Sequence, residues 1–209
     1  MNITKIGWAA LLAAMAGDLL VSLLLGRLYP GYSNLKMSIS ALGNPSSPVR
    51  LFFNAWMLLE GILFLLSIPA LHGRFAKTSA ALAGATAVFV AAFAVGACVL
   101  TCFFSVGETK EVQTLASKIH GAGSAIGFTL FLFVPLLLAL LCFKGGDNLL
   151  GGAAVACFVL SLVCFVLFVM SDKEAFAGTV ISYEGLWQRL NLLFMYLPLA
   201  LVALAQKGE

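Results

Sequence analysis

Two carboxylic acids stand in stretches of chain where ionisable groups are costly. Asp18 and Glu60 each lie inside a long apolar run, and at membrane depth such a group marks a function or a specific helix contact by default. Asp18 shares a helical face with Ser22 at i, i+4, and Trp56, Glu60, Leu63 and Ser67 form a second stripe. Asp18 falls roughly 15 Å from one end of its run and Glu60 roughly 14 Å into the next, at 1.5 Å per residue. Two acids at one depth on neighbouring helices can share a proton, bind a cation, or take separate partners.

Other polar residues gather at the starts of later runs. His120, Ser124 and Gly127 fall on one helical face, and Gly123 with Gly127 makes a small-xxx-small pair that lets another helix approach closely. Glu184, Gln188 and Asn191 make a further stripe, with Arg189 pointing elsewhere one turn into the run. A loop too long for a simple connector carries Ser38-Ile39-Ser40-Ala41-Leu42-Gly43, with Tyr32 before it and Pro45 and Pro48 after it. It is expected to fold over one end of the protein. In catalytic terms, Ser38 or Ser40 offers a nucleophile, His120 a general base, and Glu60, Glu184 or Asp172 an orienting acid. No nucleophile-elbow sequence is present, however, and a Ser-x-Ser loop commonly caps a helix.

The elements that must position these residues are set by solvent. Hydrophobic residues make up 62% of the 209-residue chain and charged residues only 10%, with a mean hydropathy of +1.05. A soluble domain is about a quarter charged, so lipid must cover this surface. Six segments reach spanning length, at about 20 residues each: 6–28, 51–71, 79–104, 120–143, 149–171 and 186–205. With no water to satisfy their backbone they must be helices. The expected fold is all-α, a single bundle of six transmembrane helices with both termini on one side. Lys5 and Ala14-Met15-Ala16 give the N-terminus the form of a signal peptide, but the apolar run resumes at Leu19, so a retained helix is expected.

The three longer loops, 29–50, 105–119 and 172–185, share the face opposite the termini. His120, Glu184, Arg189, Asp172 and the Ser38/Ser40 loop all belong to it, with Asp18 and Glu60 beneath. A polar cavity open to that face is the expectation. On the terminal side stand Lys5, Arg74, Lys77, Lys144 and Lys207; on the long-loop side Arg27, Lys36, Arg50, Lys110, Lys118, Lys173 and Arg189. The raw count does not favour a cytoplasmic terminal side, but density per loop residue does. The reading is therefore N-in, C-in in the cytoplasmic (inner) membrane.

Plain structural uses compete with each functional one. Arg189 can snorkel to headgroups or pair with a loop acid, Asp18 and Glu60 can be neutral and bonded to a neighbouring helix, and His120 can bond a loop carbonyl. Trp8, Trp56, Trp187, Tyr183 and Tyr196 suit an interface or packing. The cysteines Cys98, Cys102, Cys142, Cys157 and Cys164 have no metal-ligand spacing and read as packing residues. His72 and His120 fall at opposite faces and cannot share a haem, so neither metal nor cofactor is expected. A net charge of +3 gives no support to a nucleic-acid partner.

The Ser38–Gly43 run, Asn54 with Glu60-Gly61, Ile119-His120-Gly121 through Gly127-Phe128, and Glu184-Gly185-Leu186-Trp187-Gln188-Arg189 resemble the bacterial six-helix family catalogued as domain of unknown function 998. The resemblance covers nearly the whole chain and implies a six-helix membrane protein with its polar motifs at the long-loop face. It implies no reaction. The leading expectation is a protein that binds or moves a lipid, amphiphile or small polar solute, contacted by Asp18, Asn54, Glu60, His120, Ser124, Glu184, Gln188 and Arg189, with Arg189 holding an anionic head. The alternatives are an intramembrane hydrolase or transferase acting on lipid, and an accessory subunit docking a partner protein on the Gly123–Gly127 seam. No 3+3 repeat of a conventional transporter is visible.

Overall fold

A computed structural model describes residues 3–107 and 113–206. Lys110 and Lys207 lie outside the described residues. Six helices are long and apolar enough to cross a membrane: α1 (Ile3–Leu28), α2 (Arg50–Phe75), α3 (Ala80–Phe103), α4 (Leu115–Lys144), α5 (Asn148–Met170) and α6 (Glu184–Ala205). These are the six expected spans. The protein is an all-α integral membrane protein whose even number of spans returns the chain to the face it left.

The helices form a ring in chain order, α1 packing on α2, α2 on α3, α3 on α4, the later part of α4 on α5, α5 on α6, and α6 back on α1. Short turns close the terminal face, where Ser79 and Asp147 accept from the backbone N–H groups of Leu82 and Leu150 to cap α3 and α5. On the opposite face the loop between α1 and α2 holds a 3₁₀ turn, Ile39–Gly43, with Ile39 and Leu42 buried. Loop 1, as we call it, is built into the core.

Three departures from regular helix bear on the site. α4 begins at Leu115 rather than at His120, because Thr114 and Ser117 cap each other's backbone in a reciprocal box. Its run is then broken at Phe133, with Val134-Pro135 opening a second helical piece, Val134–Lys144; proline supplies no N–H to the preceding turn. α3 widens into a π turn over Ala94–Val99, the kind of bulge often found beside functional sites.

That π turn sits where α3 meets α4 at its closest. A Cβ on Gly123 would lie 2.8 Å from the Gly96 carbonyl oxygen, and one on Gly127 would lie 3.1 Å from the Ala92 carbonyl oxygen. The small-residue seam of α4 is thus filled by α3 of the same chain. Beside it Phe64, Phe93, Phe131 and Tyr196 form a buried aromatic cluster, with the Phe93 and Phe131 centroids 4.4 Å apart. Gly123→Leu is expected to cost about 2 kcal/mol through forced separation of α3 and α4, read as a lower midpoint of thermal unfolding in detergent. Gly84→Ala, where an added Cβ meets nothing within 4 Å, should leave the midpoint unchanged or raised.

Candidate functional site

The sequence Glu184-Gly185-Leu186-Trp187-Gln188-Arg189 opens α6, and most of it fastens loop 1. Gly185 is forced by space, since a Cβ there would collide with the carbonyl oxygens of Asn34 and Met37. The Leu186 N–H donates to Leu35 O at 2.9 Å. Gln188 Oε1 accepts from the Ile39 N–H at 2.7 Å. Arg189 donates to Asn34 O (2.7 Å), Asn34 Oδ1 (2.9 Å), Tyr32 Oη (3.2 Å) and the Gly185 carbonyl (3.2 Å). Asn34 in turn donates to Leu23 O of α1, and Tyr32 donates to Ser38 O at 2.9 Å. Burial raises the Tyr32 phenol above its ordinary pKa, opposed by the Arg189 guanidinium. The hydroxyl therefore keeps the proton it donates to loop 1.

Beneath this latch lies a cavity of about 270 Å³. Its polar lining is Asp18, Ser40, Glu60, Thr101, His120, Ser124, Thr129 and Gln188; its apolar walls include Phe53, Met57, Phe93, Phe128, Phe165 and Phe168. Ile39 and Ser40 put loop 1 against it, and the π turn contributes Ala97. The aromatic cluster meets the cavity at Phe93, and there Tyr196 donates to Asp18 Oδ2 at 2.7 Å.

Glu60 is the exceptional group. It is 0% exposed, and neither carboxylate oxygen has a hydrogen-bond partner among the described residues. Trp56 and Cys98 lie within its reach, yet the buried indole N–H of Trp56 also lacks a partner. A carboxylate stripped of water and without a well-formed hydrogen bond is held at a cost of several kcal/mol, which a proton or a bound cation relieves.

Asp18, Glu60, His120, Ser124, Gln188 and Ser40 thus come together around one space. Asn54, Glu184, Arg189 and Ser38 are not among its lining residues. Asn54 lies beside Gly43 behind loop 1, and Glu184 is within electrostatic reach of Tyr32. Arg189 stands close enough to Asp18 to influence it electrostatically, while its terminal nitrogens are spent on loop 1. Ser38 and Ser40 share a hydrogen bond of 3.2 Å. His120 Nδ1 donates to the Phe104 carbonyl at 2.9 Å, leaving Nε2 as an acceptor in the neutral ring. Among the described residues no hydrogen bond joins either serine to His120. Thr101, Ala125, Thr129 and Val169 of the lining carry no signal in the sequence; Thr101 follows Cys98 by three residues and looks there like one more small helix residue.

The fold and this space, with its few polar groups among apolar walls, define a six-span integral membrane protein with an internal cavity. The family described as protein of unknown function (DUF998) matches residues 9–205, and the chain belongs to it. No curated protein and no solved structure matches the chain.

Arg189→Ala is expected to remove the latch and leave the Asn34 groups unsatisfied, a loss of about 2–3 kcal/mol. The check is thermal unfolding paired with limited proteolysis, in which residues 29–49 should become the first point of cleavage.

Proposed function

We propose that the chain is a binding or carrier protein for an amphiphile, whose polar head lies against Glu60 and whose apolar part lies against the phenylalanine walls. One observation carries this reading: a wholly buried carboxylate, with neither oxygen hydrogen-bonded among the described residues, borders a cavity that has room for a ligand. The mixture of a few convergent polar groups with aromatic walls is the usual chemistry of a small-molecule site, and the volume is at the small end for one. Native mass spectrometry of the detergent-purified chain is the test. The wild type should retain a small molecule or lipid that Glu60→Gln releases, with the variant still folded by thermal unfolding. A bare chain in both would sink the reading.

We also propose an N-in, C-in orientation in the cytoplasmic membrane. Arg74, Lys77 and Lys144 crowd the tight turns of the terminal face, while Arg189, counted on the opposite face, is consumed by loop 1. The positive-inside rule then favours a cytoplasmic terminal face. A C-terminal green fluorescent protein fusion should fluoresce and a C-terminal alkaline phosphatase fusion should be inactive; the reverse pair would invert the orientation.

A further inference from the structure

We propose that the cavity fills sideways from the hydrocarbon phase, through a gap between the first part of α4 and the end of α5. Its occupant is a single-chain lipophilic amine, with the ammonium at Glu60 and the tail trailing out through the gap. This rests on the binding reading above and adds the route and the head chemistry.

The route follows from what is closed and what is open. Over the long-loop end, loop 1 is latched by Arg189 and by the Gln188–Ile39 hydrogen bond, with Leu42 fully buried beneath it. The side is different. Gly121, Ala125 and Thr129 succeed one another at four-residue spacing, line the cavity, and are nevertheless exposed. A stripe facing an internal space in a closed bundle would be buried. It stays open because the first part of α4, before the break at Phe133, leans on α3 and scarcely touches α5, whereas the piece after the break packs on both. Phe165, Phe168 and Val169 form the opposite wall, with Val169 exposed. The α4 edge of the gap is roughly 12 Å tall at 1.5 Å per residue, and neither 121–129 nor 165–169 carries a charged residue. A hydrated ion would have nothing to replace its water there; a chain already dissolved in lipid loses nothing.

The head chemistry follows from charge. Asp18 and Glu60 are the acids of the lining, His120 is its other titratable group, and no lysine or arginine belongs to it. An anionic head would meet two acids. An ammonium brings three donors to a carboxylate whose oxygens make no well-formed hydrogen bond among the described residues. A space of about 270 Å³ has room for a head and part of one chain.

The experiment uses the full chain in nanodiscs of zwitterionic lipid and measures binding of dodecylamine, dodecanol, dodecanoate and hexylamine. Dodecylamine should bind at least about tenfold more tightly than dodecanol or dodecanoate, and Glu60→Gln should remove that margin, as expected for a charge-assisted hydrogen bond. Ala125→Trp, or Val169→Trp from the opposite wall, should abolish dodecylamine binding and keep hexylamine, which fits without a protruding tail. Equal binding of dodecanoate overturns the amine head. Dodecylamine binding unchanged in both tryptophan variants overturns the lateral route, as does loss of both amines in both variants, which would mean that the cavity itself was filled. If neither amine binds the wild type while native mass spectrometry still finds a retained molecule, this proposal falls and the binding reading stands. If nothing is retained either, both fall.

Discussion

A guanidinium buried at the end of an apolar bundle must find acceptors inside the protein, and much of this structure is arranged around that demand. Arg189 is only 9% exposed, and its terminal nitrogens reach a segment 155 residues away in sequence. The acceptors are the backbone and side chain of Asn34 and the phenol of Tyr32. The exchange is mutual: irregular backbone near lipid needs donors, and loop 1 receives them from α6. Gly185 and Gly26 leave the space in which this contact is made, since side chains there would strike loop 1. Cover over the cavity is therefore a by-product of satisfying one cation.

That arrangement divides the polar residues into two sets with different work. Tyr32, Asn34 and Arg189 hold loop 1 in place. Glu60, Asp18, His120 and Ser124 face the enclosed space. Gln188 belongs to both, because its oxygen holds the Ile39 N–H while the residue borders the cavity. A bundle that spent its cation on its own loop leaves its acids to whatever enters. The aromatic cluster around Phe93 and Tyr196 fills the core next to the acids, so the space reads as a pocket rather than as a straight conduit.

The spans were legible in the sequence because lipid imposes so strong a rule on backbone polarity, and each expected segment lies within a few residues of its helix. The gathering of Asp18, Glu60, His120, Ser124 and Gln188 was legible too, since helical spacing and loop length fix both face and depth. Pairing was not. Nothing local to Arg189 says that its acceptors are Asn34 and Tyr32 rather than an anionic ligand, because that depends on how loop 1 turns after Leu28. The Gly123–Gly127 seam announced a close helix contact but not its partner, which proved to be Gly96 in the π turn of α3. The side gap was invisible for the same reason: it arises from a difference in packing between two parts of α4, not from any residue type.

The interruption of α4 at Phe133 has mechanical meaning beyond its local geometry. An unbroken helix behaves as a stiff rod, so a tilt at one end is transmitted to the other. Here the hydrogen-bond ladder stops and restarts at Val134-Pro135, and the two pieces share α3 as a neighbour but differ in their contact with α5. The piece from Val134 to Lys144 is anchored against both α5 and α3, whereas the piece from Leu115 to Leu132 rides on α3 and scarcely touches α5. Bending stress applied by the surrounding bilayer is thereby concentrated at a single joint, and the two arms respond to lateral pressure as separate levers.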